Sequence, residues 1–147
     1  MIDHLTDVAP LQISYLVVNK DRITSQSLRE AEYGIRYNYF TGVLLSEMVF
    51  DNSLSSIFLT YDLRNKETHE KRRFKEYLAT KLLEGSIERE VEIEFNAEGL
   101  ESHQSYGLMA VDFFSWALYR KFEYGDRRFA SRFSGKILRA REWYIGK

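Results

Sequence analysis

Apolar and polar residues follow each other along this chain with distinct periods, and each period predicts one kind of element. Two short runs, Ile13–Val18 and Ser56–Tyr61, are rich in apolar, β-branched and aromatic residues, which is typical of strands covered on both faces of a parallel sheet. A third run, Ile87–Phe95, alternates apolar residues with glutamates, apart from Arg89. A period of two with one polar face predicts an exposed or edge strand.

Helical periodicity occupies the segments between these runs. Ser27 and Glu30 have the spacing of a capping box, which predicts the start of a helix that reaches about Phe50. Gly85 is well placed to end the next helix. The predicted helices are residues 27–50, residues 67–84, an apolar helix that follows the loop Asn96–Ser105, and residues 127–143. With the strands they give the order β-α-β-α-β-α-α, which predicts a three-layer α/β architecture in a single domain covering residues 1–147.

The helix predicted after residue 105 is unusually apolar, and it carries a single acid, Asp112. At about 100° per residue its apolar side chains form one continuous stripe, with Asp112 at the margin. A carboxylate there is partly desolvated and needs a partner, either a basic side chain, a backbone donor or a bound metal ion. Met109, Phe113 and Trp116 lie opposite the stripe, which predicts a surface that pairs with another copy or a partner.

A second acid, Asp62, stands at the carboxyl end of a predicted strand. Ligands of open α/β sheets bind beyond the carboxyl ends of the strands, so Asp62 is either a site residue or a polar residue of a surface turn. We expect Asp62 and Asp112 to meet at the same edge of the sheet. His103, flanked by Ser102 and Ser105 in the loop before the apolar helix, is either a ligand contact or an exposed loop residue.

Composition limits the classes of function. The 147 residues contain no cysteine, which excludes disulfides and thiolate metal ligands and favours a reducing cytoplasm. The first residues lack the layout of a signal peptide, and no long apolar run is present, so we expect a cytoplasmic protein without a membrane span. The sequence has no dinucleotide-binding or P-loop glycine pattern, no nucleophile elbow and no zinc-ligand spacing.

Charge is unevenly distributed along the chain. Residues 120–147 contain nine Lys or Arg and three acids, whereas the residues before them carry a net charge of −7, and the whole chain carries −1. This basic segment begins with Arg120 and Lys121. It either meets the phosphates of a nucleic acid or is attracted to the acidic remainder of the chain.

The apolar helix and its flanks resemble the late helix of the domain-of-unknown-function 3800 family. The residues that carry the resemblance are 102–117 (SHQSYGLMAVDFFSWA) and 120–126 (RKFEYGD). In the family a serine and a short polar loop precede Gly-Leu-Gln, an Ala/Val-Asp pair and an apolar helix that ends near Arg-Lys-Tyr-Glu. Met109 here takes the place of the usual glutamine. Tyr37–Asn38 and the strand ending at Asp62 are similar to earlier family signatures, and the resemblance covers roughly Gln12 to Lys136.

The resemblance implies a ribonuclease H-like fold and metal-dependent nuclease or related phosphodiester chemistry. In such folds, acids from a first strand, a later strand end and a late helix hold two divalent ions, which activate water and stabilise the leaving oxygen. By position, Asp62 and Asp112 are the catalytic and metal-binding candidates, with Mg²⁺ or Mn²⁺ as the hypothetical cofactor. The candidate substrate-binding residues are Ser102, His103, Ser105, Arg120 and Lys121.

One part of the family pattern is missing from this sequence. Family members begin with a strand that carries an Asp-Glu-Ser-Gly motif, whereas Asp3 and Asp7 here have no strand-like context. The chain therefore resembles the C-terminal two-thirds of a member. We expect it to be catalytically incomplete alone and to pair with a second copy or with a partner chain that completes the sheet. The alternative is a non-catalytic oligomeric interaction module or remnant of the family.

Overall fold

The fold is mixed α/β, with two small parallel sheets. The structure, a computed structural model, describes residues 11–63 and 68–143. The strands are β1 (Ile13–Val18), β2 (Ser56–Asp62), β3 (Glu94–Leu100) and β4 (Ile137–Trp143), and the helices are α1 (Gln26–Glu30), α2 (Tyr33–Asp51), α3 (Thr68–Arg89) and α4 (Tyr106–Tyr124). β1 pairs with β4, and β2 pairs with β3. None of the helices in the described ranges combines the length and the apolar character needed to cross a membrane.

The described residues group into two compact units. Residues 11–14, 60–63 and 99–139 belong to the first, and residues 15–59, 68–98 and 140–143 belong to the second. In the first unit, the rings of Phe114 and Phe133 meet edge to face with centroids 4.9 Å apart. In the second, Phe74, Leu78 and Val49 are almost fully buried. The single domain over residues 1–147 stays a prediction.

The first predicted helix has a different cap and is interrupted. The hydroxyl of Ser25, rather than that of Ser27, accepts the backbone N–H of Leu28 at 3.4 Å and opens α1. Ala31 then takes an extended backbone (φ −62°, ψ 147°), and α2 begins at Tyr33. The helical spacing continues across this break, which explains why the sequence predicts one uninterrupted helix.

The prediction that Gly85 ends its helix is wrong, because Gly85 lies inside α3. The helix continues to Arg89, whose Nη1 donates to the carbonyl of Gly85 at 3.4 Å and whose guanidinium lies 4.3 Å from the centre of the Phe50 ring. A Cβ at position 85 would lie 2.6 Å from Cζ of Phe50, so the glycine permits a close approach of α2 and α3. Glu90 leaves the helix with a positive φ of 53°, and β3 therefore begins at Glu94 instead of Ile87.

The helix predicted for residues 127–143 is also wrong. Ala130–Lys136 form a 3₁₀ segment, and Ile137–Trp143 form β4. The hydroxyl of Ser131 donates to the carbonyl of Arg128 at 3.1 Å, and that of Ser134 donates to the carbonyl of Ser131 at 2.9 Å. Such local side-chain bonds compete with regular helix. β4 thus pairs with β1 in parallel. The last element of the predicted order β-α-β-α-β-α-α is therefore a strand and not a helix.

Gly85→Ala is expected to lower the free energy of unfolding, because the added methyl group must displace the Phe50 ring at a cost of about 1–3 kcal/mol. The roughly 1 kcal/mol by which alanine is favoured over glycine inside a helix offsets part of this cost, which leaves a net loss of up to about 2 kcal/mol. Gly34→Ala in α2 is the control, since no described neighbour lies within 4 Å of a Cβ there. Urea unfolding followed by circular dichroism measures both variants. An equal gain in stability for the two variants would contradict the close approach at Gly85.

Candidate functional site

Every site residue predicted from the sequence belongs to the first compact unit. Asp62 lies at the end of β2, and Asp112 lies within α4. The predicted substrate-binding residues lie just before α4 or near its C-terminal end: Ser102, His103, Ser105, Arg120 and Lys121. The ends of β2 and β3 and the helix α4 therefore position the predicted site residues.

Asp62 is the last residue of β2 and is half-buried. The backbone N–H of Leu63 donates to the carbonyl of Leu100 at 3.0 Å, so the carboxyl ends of β2 and β3 lie side by side. β3 leads directly into the 3₁₀ turn Ser102–Gln104 and then into α4. The strand end that carries Asp62 consequently lies beside the start of the segment leading into α4.

The segment leading into α4 uses its polar side chains to fix the backbone. The side-chain oxygen of Gln104 accepts the N–H of Glu101 at 2.9 Å. The hydroxyl of Ser105 accepts the N–H of Leu108 at 3.3 Å and serves as the helix N-cap. His103 is 75% exposed, and its Nδ1 lies 3.4 Å from a carboxylate oxygen of Glu101. The environment of His103 is that of an exposed loop residue, and the observed role of the Ser105 hydroxyl is structural.

Asp112 lies about two turns into α4 and is half-buried. The buried residues of the helix, which share the predicted apolar stripe and its margin, are Leu108, Phe114, Ala117 and Leu118. With a rise of 1.5 Å per residue, Asp112 is about 10 Å along the helix axis from Ser105 and about 12 Å from Arg120. The predicted substrate-binding residues therefore form two separate groups, about 22 Å apart along α4.

Metal-binding side chains are not clustered in the part of the chain that the structure describes. Across residues 11–63 and 68–143, no group of three or more His, Asp or Glu side chains is arranged to hold an ion. A site for two divalent ions needs more carboxylates than Asp62 and Asp112 supply. Asp3 and Asp7 lie outside the described residues.

Immediately after α4, one carboxylate binds two arginines. Gly125 takes a left-handed backbone (φ 69°) that ends the helix, and the N–H of Asp126 donates to the carbonyl of Arg120 at 3.1 Å. Arg128 donates to Asp126 through Nε at 2.9 Å and Nη2 at 3.0 Å, one bond to each carboxylate oxygen. Arg120 donates through Nη2 at 3.0 Å, and the backbone N–H of Arg128 adds a bond at 3.2 Å. We call these three residues the Arg120–Asp126–Arg128 cluster.

The cluster carries more positive than negative charge. The guanidinium of Arg128, and then that of Arg120, holds the pKa of the Asp126 carboxyl far below its usual range, while the same carboxylate raises the pKa of Arg128. With all three groups ionised, the cluster carries a net charge of +1. The side chain of Arg128 is 77% exposed, so this charge is presented to solvent.

Aromatic rings flank both guanidinium groups. Cζ of Arg120 lies 5.0 Å from the centre of the Tyr124 ring, and Cζ of Arg128 lies 5.6 Å from the centre of the Phe129 ring. Tyr124 also meets Tyr119 edge to face, with 5.7 Å between the ring centroids. Nε of Arg120 is buried and has no hydrogen-bond partner among the described residues, so its guanidinium is held through Nη2 and by the ring.

Asp126, Arg128 and Tyr124 are absent from the site residues predicted from the sequence. A usable signal nevertheless exists in residues 124–128. A glycine that ends an apolar helix, followed by an aspartate with an arginine two residues further on, is the pattern of a turn whose carboxylate binds backbone and guanidinium donors. Net charge alone does not reveal this arrangement, because it says nothing of which acid meets which base.

The second compact unit contains a cleft of about 270 Å³ between α2 and α3. Its lining includes Glu47, Lys81, Glu84 and Arg89 around the ring of Phe50. Lys81 and Glu84 form an ion pair at 3.4 Å within it. None of the residues predicted from the sequence as functional lines this cleft.

Comparisons with protein families, with curated proteins and with solved structures find no significant match for this chain. The resemblance to the domain-of-unknown-function 3800 family therefore stays a prediction, carried by the residues quoted above. What the site can do follows from its own geometry.

Asp126→Asn is expected to make the stability of the protein less dependent on pH in the acid range. A carboxyl whose pKa is depressed by folding stabilises the fold fully above its unfolded-state pKa of about 4, and loses that contribution as the pH falls below this value. Between about pH 6 and about pH 3, the wild type should therefore lose more free energy of unfolding than Asp126→Asn does.

Denaturant unfolding at the two pH values measures this difference. Glu123→Gln, which removes an exposed carboxyl from the same end of α4, is the matched control and should behave like the wild type. Equal losses in the wild type and in Asp126→Asn would show that the cluster does not stabilise the folded state.

Proposed function

We propose that this chain is a ribonuclease H-like, nuclease-related protein that binds the phosphodiesters of a nucleic acid near the C-terminal end of α4. The observation that carries the proposal is the Arg120–Asp126–Arg128 cluster, in which two guanidinium groups are oriented by one carboxylate and Arg128 is 77% exposed. Guanidinium groups bind phosphate oxygens with paired hydrogen bonds. Orienting them in advance reduces the side-chain entropy lost on binding.

The charge around the cluster supports a polyanionic ligand. Residues 120–139 contain seven Lys or Arg and only two acids, a net charge of +5. Lys121, Arg127 and Arg132 add to the charge of the cluster, and the latter two are exposed. A surface of this composition attracts a phosphate backbone without regard to base sequence, and the attraction weakens as salt is added.

The ribonuclease H-like architecture belongs to the same proposal. The parallel pairing of β2 with β3 and the position of Asp62 at the carboxyl end of β2 support it. The third layer of the architecture, and the lack of the family's first strand, are likewise parts of this proposal. The terminal strand β4 is a departure from the predicted order.

Asp62 and Asp112 are the residues that we propose to hold Mg²⁺ or Mn²⁺. Two carboxylates suit one hard cation that keeps several waters and shares the oxygens of a bound phosphate. They do not fit a site for two ions, and the described ranges offer no group of three ligands. We therefore assign phosphodiester binding to this chain. Cleavage would require further acids, either from residues outside the described ranges or from a partner chain.

An exposed apolar surface favours a second candidate function, that of an oligomeric interaction module. Met109 and Trp116 of α4 are 41% and 44% exposed, and Phe113 packs against Trp116 with 5.8 Å between ring centroids. Exposed apolar side chains next to one another on a helix are common at protein interfaces. In this alternative the protein self-associates and has no affinity for nucleic acid, so a binding titration separates the two candidates.

The wild type is expected to bind a fluorescently labelled oligonucleotide, with an affinity that falls as salt rises. Arg128→Gln should weaken this binding and reduce the slope of log K against log salt by about 0.7–0.9, the share of one phosphate contact. Arg73→Gln removes an exposed arginine of α3 and should leave the slope unchanged. Fluorescence anisotropy measures all three proteins. Failure of the wild type to bind at low salt overturns the proposal, and equal slopes in all three remove the cluster from it.

The wild type is expected to bind Mn²⁺ weakly, and Asp112→Asn is expected to lose this binding. The substitution replaces one carboxylate of the proposed pair with a neutral amide. Asp21→Asn, which changes an exposed aspartate in the turn Lys20–Arg22, is the control and should bind as the wild type does. Electron paramagnetic resonance of free Mn²⁺ measures the bound fraction. Binding that is indifferent to Asp112→Asn would remove the metal-binding role from this residue.

A further inference from the structure

Two tyrosines beside the arginine cluster expose large aromatic surfaces. Tyr119 is 54% exposed and Tyr124 is 64% exposed. Their rings nevertheless have a fixed relation, edge to face with 5.7 Å between centroids, and hydrogen bonding to Tyr124 raises the pKa of Tyr119. An exposed ring that is already packed against a neighbouring ring loses less conformational entropy than a free ring when a flat ligand is placed on it.

Arg120 connects this tyrosine pair to the cluster. Its guanidinium lies 5.0 Å from the centre of the Tyr124 ring, and its Nη2 donates to Asp126 at 3.0 Å. Asp126 in turn fixes Arg128 through Nε and Nη2. The last turn of α4 and the residues after it therefore hold an exposed aromatic face and an exposed guanidinium in one connected arrangement.

This combination of groups distinguishes between forms of nucleic acid. In a duplex the faces of the bases are stacked on each other, so a protein surface that contacts the backbone reaches phosphates and sugars only. In a single strand the bases can splay out and stack on aromatic side chains, while basic side chains follow the phosphates. Arginines alone are sufficient to bind the backbone of a duplex, whereas exposed tyrosines next to arginines are typical of proteins that bind single strands.

We propose that the nucleic acid bound by this chain is single-stranded, with a base stacked on Tyr124 and a neighbouring phosphate bound by Arg128. This inference rests on the phosphodiester binding proposed above and specifies its substrate class. Tyr119 supports the ring of Tyr124 from the side, and Asp126 keeps Arg128 in place. Stacking discriminates little between bases, so the binding has little sequence preference.

The test compares a labelled oligothymidine with a DNA duplex of the same length, by fluorescence anisotropy at several salt concentrations. The wild type should bind the single strand more tightly than the duplex. Tyr124→Leu keeps an apolar side chain beside Arg120 but removes the aromatic face. It should weaken single-strand binding by about 5- to 100-fold. Duplex binding should change much less, because Asp126 still orients Arg128. Tyr124→Phe keeps the ring and should retain most of the single-strand affinity.

The matched control is Tyr106→Leu, which changes a tyrosine that is 83% exposed at the opposite end of α4 and should affect neither ligand. Circular dichroism verifies that each variant is folded. Equal wild-type affinity for the two ligands, or an unchanged affinity of Tyr124→Leu for the single strand, overturns the stacking inference and leaves phosphodiester binding standing. Absence of binding to both ligands overturns the proposed function and this inference with it.

Discussion

The hydrogen bonds between Asp126 and two arginines are the interaction on which the functional account depends. Two guanidinium groups that approach one another repel, and the carboxylate between them, which accepts Nη2 of Arg120 and Nε and Nη2 of Arg128 at 2.9–3.0 Å, offsets that repulsion. The left-handed backbone of Gly125 turns the chain so that Asp126 can reach both. The side chain of Asp126 is only 10% exposed, so its bonds are screened less by solvent than those of a surface ion pair, and they stabilise the folded state at neutral pH. The main consequence of the cluster is that it keeps positive charge in a fixed orientation.

Helix α4 connects this cluster with Asp112, one of the two acids that the family resemblance implies as metal ligands. Its 19 residues form one rigid element, with Ser105 capping one end and the cluster just beyond the other. Asp112 lies between them, about 12 Å along the axis from Arg120. A nucleic acid strand bound at the cluster therefore has to follow α4 to bring a phosphodiester to Asp112. Ser105 has a structural role as the helix cap, and its distance from Arg120 separates it from the proposed binding surface.

Hydrophobic periodicity predicts where helices and strands lie along the chain. It fails where local hydrogen bonds or one neighbouring side chain determine the backbone structure. The strand that ends at Asp62 is predicted to within one residue, and the apolar helix around Asp112 follows Ser105 as predicted. The strand is not covered on both faces, however, because Phe58 is 66% exposed and Tyr61 is its one buried residue. Gly85 is predicted to end its helix because glycine is common at helix C-termini. In the structure it lies inside the helix, where the Phe50 ring occupies the space that a side chain at position 85 would fill. The strand β4 is unpredicted because its pairing with β1 joins the two ends of the described chain, which no local pattern records. The role of Asp126 is hidden for the same reason, since charge counts do not specify partners.

The most direct test of the central claim is a nuclear magnetic resonance titration that follows the Nε–Hε signals of the arginine side chains as single-stranded DNA is added. The account predicts that the Arg120 and Arg128 signals are sharp at neutral pH before ligand is added. Nε of Arg128 is hydrogen-bonded to Asp126 and Nε of Arg120 is buried, so both protons exchange slowly with water. The account further predicts that the Arg128 signal shifts to saturation with DNA, while the signal of Arg89, in the second compact unit, does not move. Mobile Arg120 and Arg128 side chains without ligand, or shifts that saturate at Arg89 instead, would contradict the account.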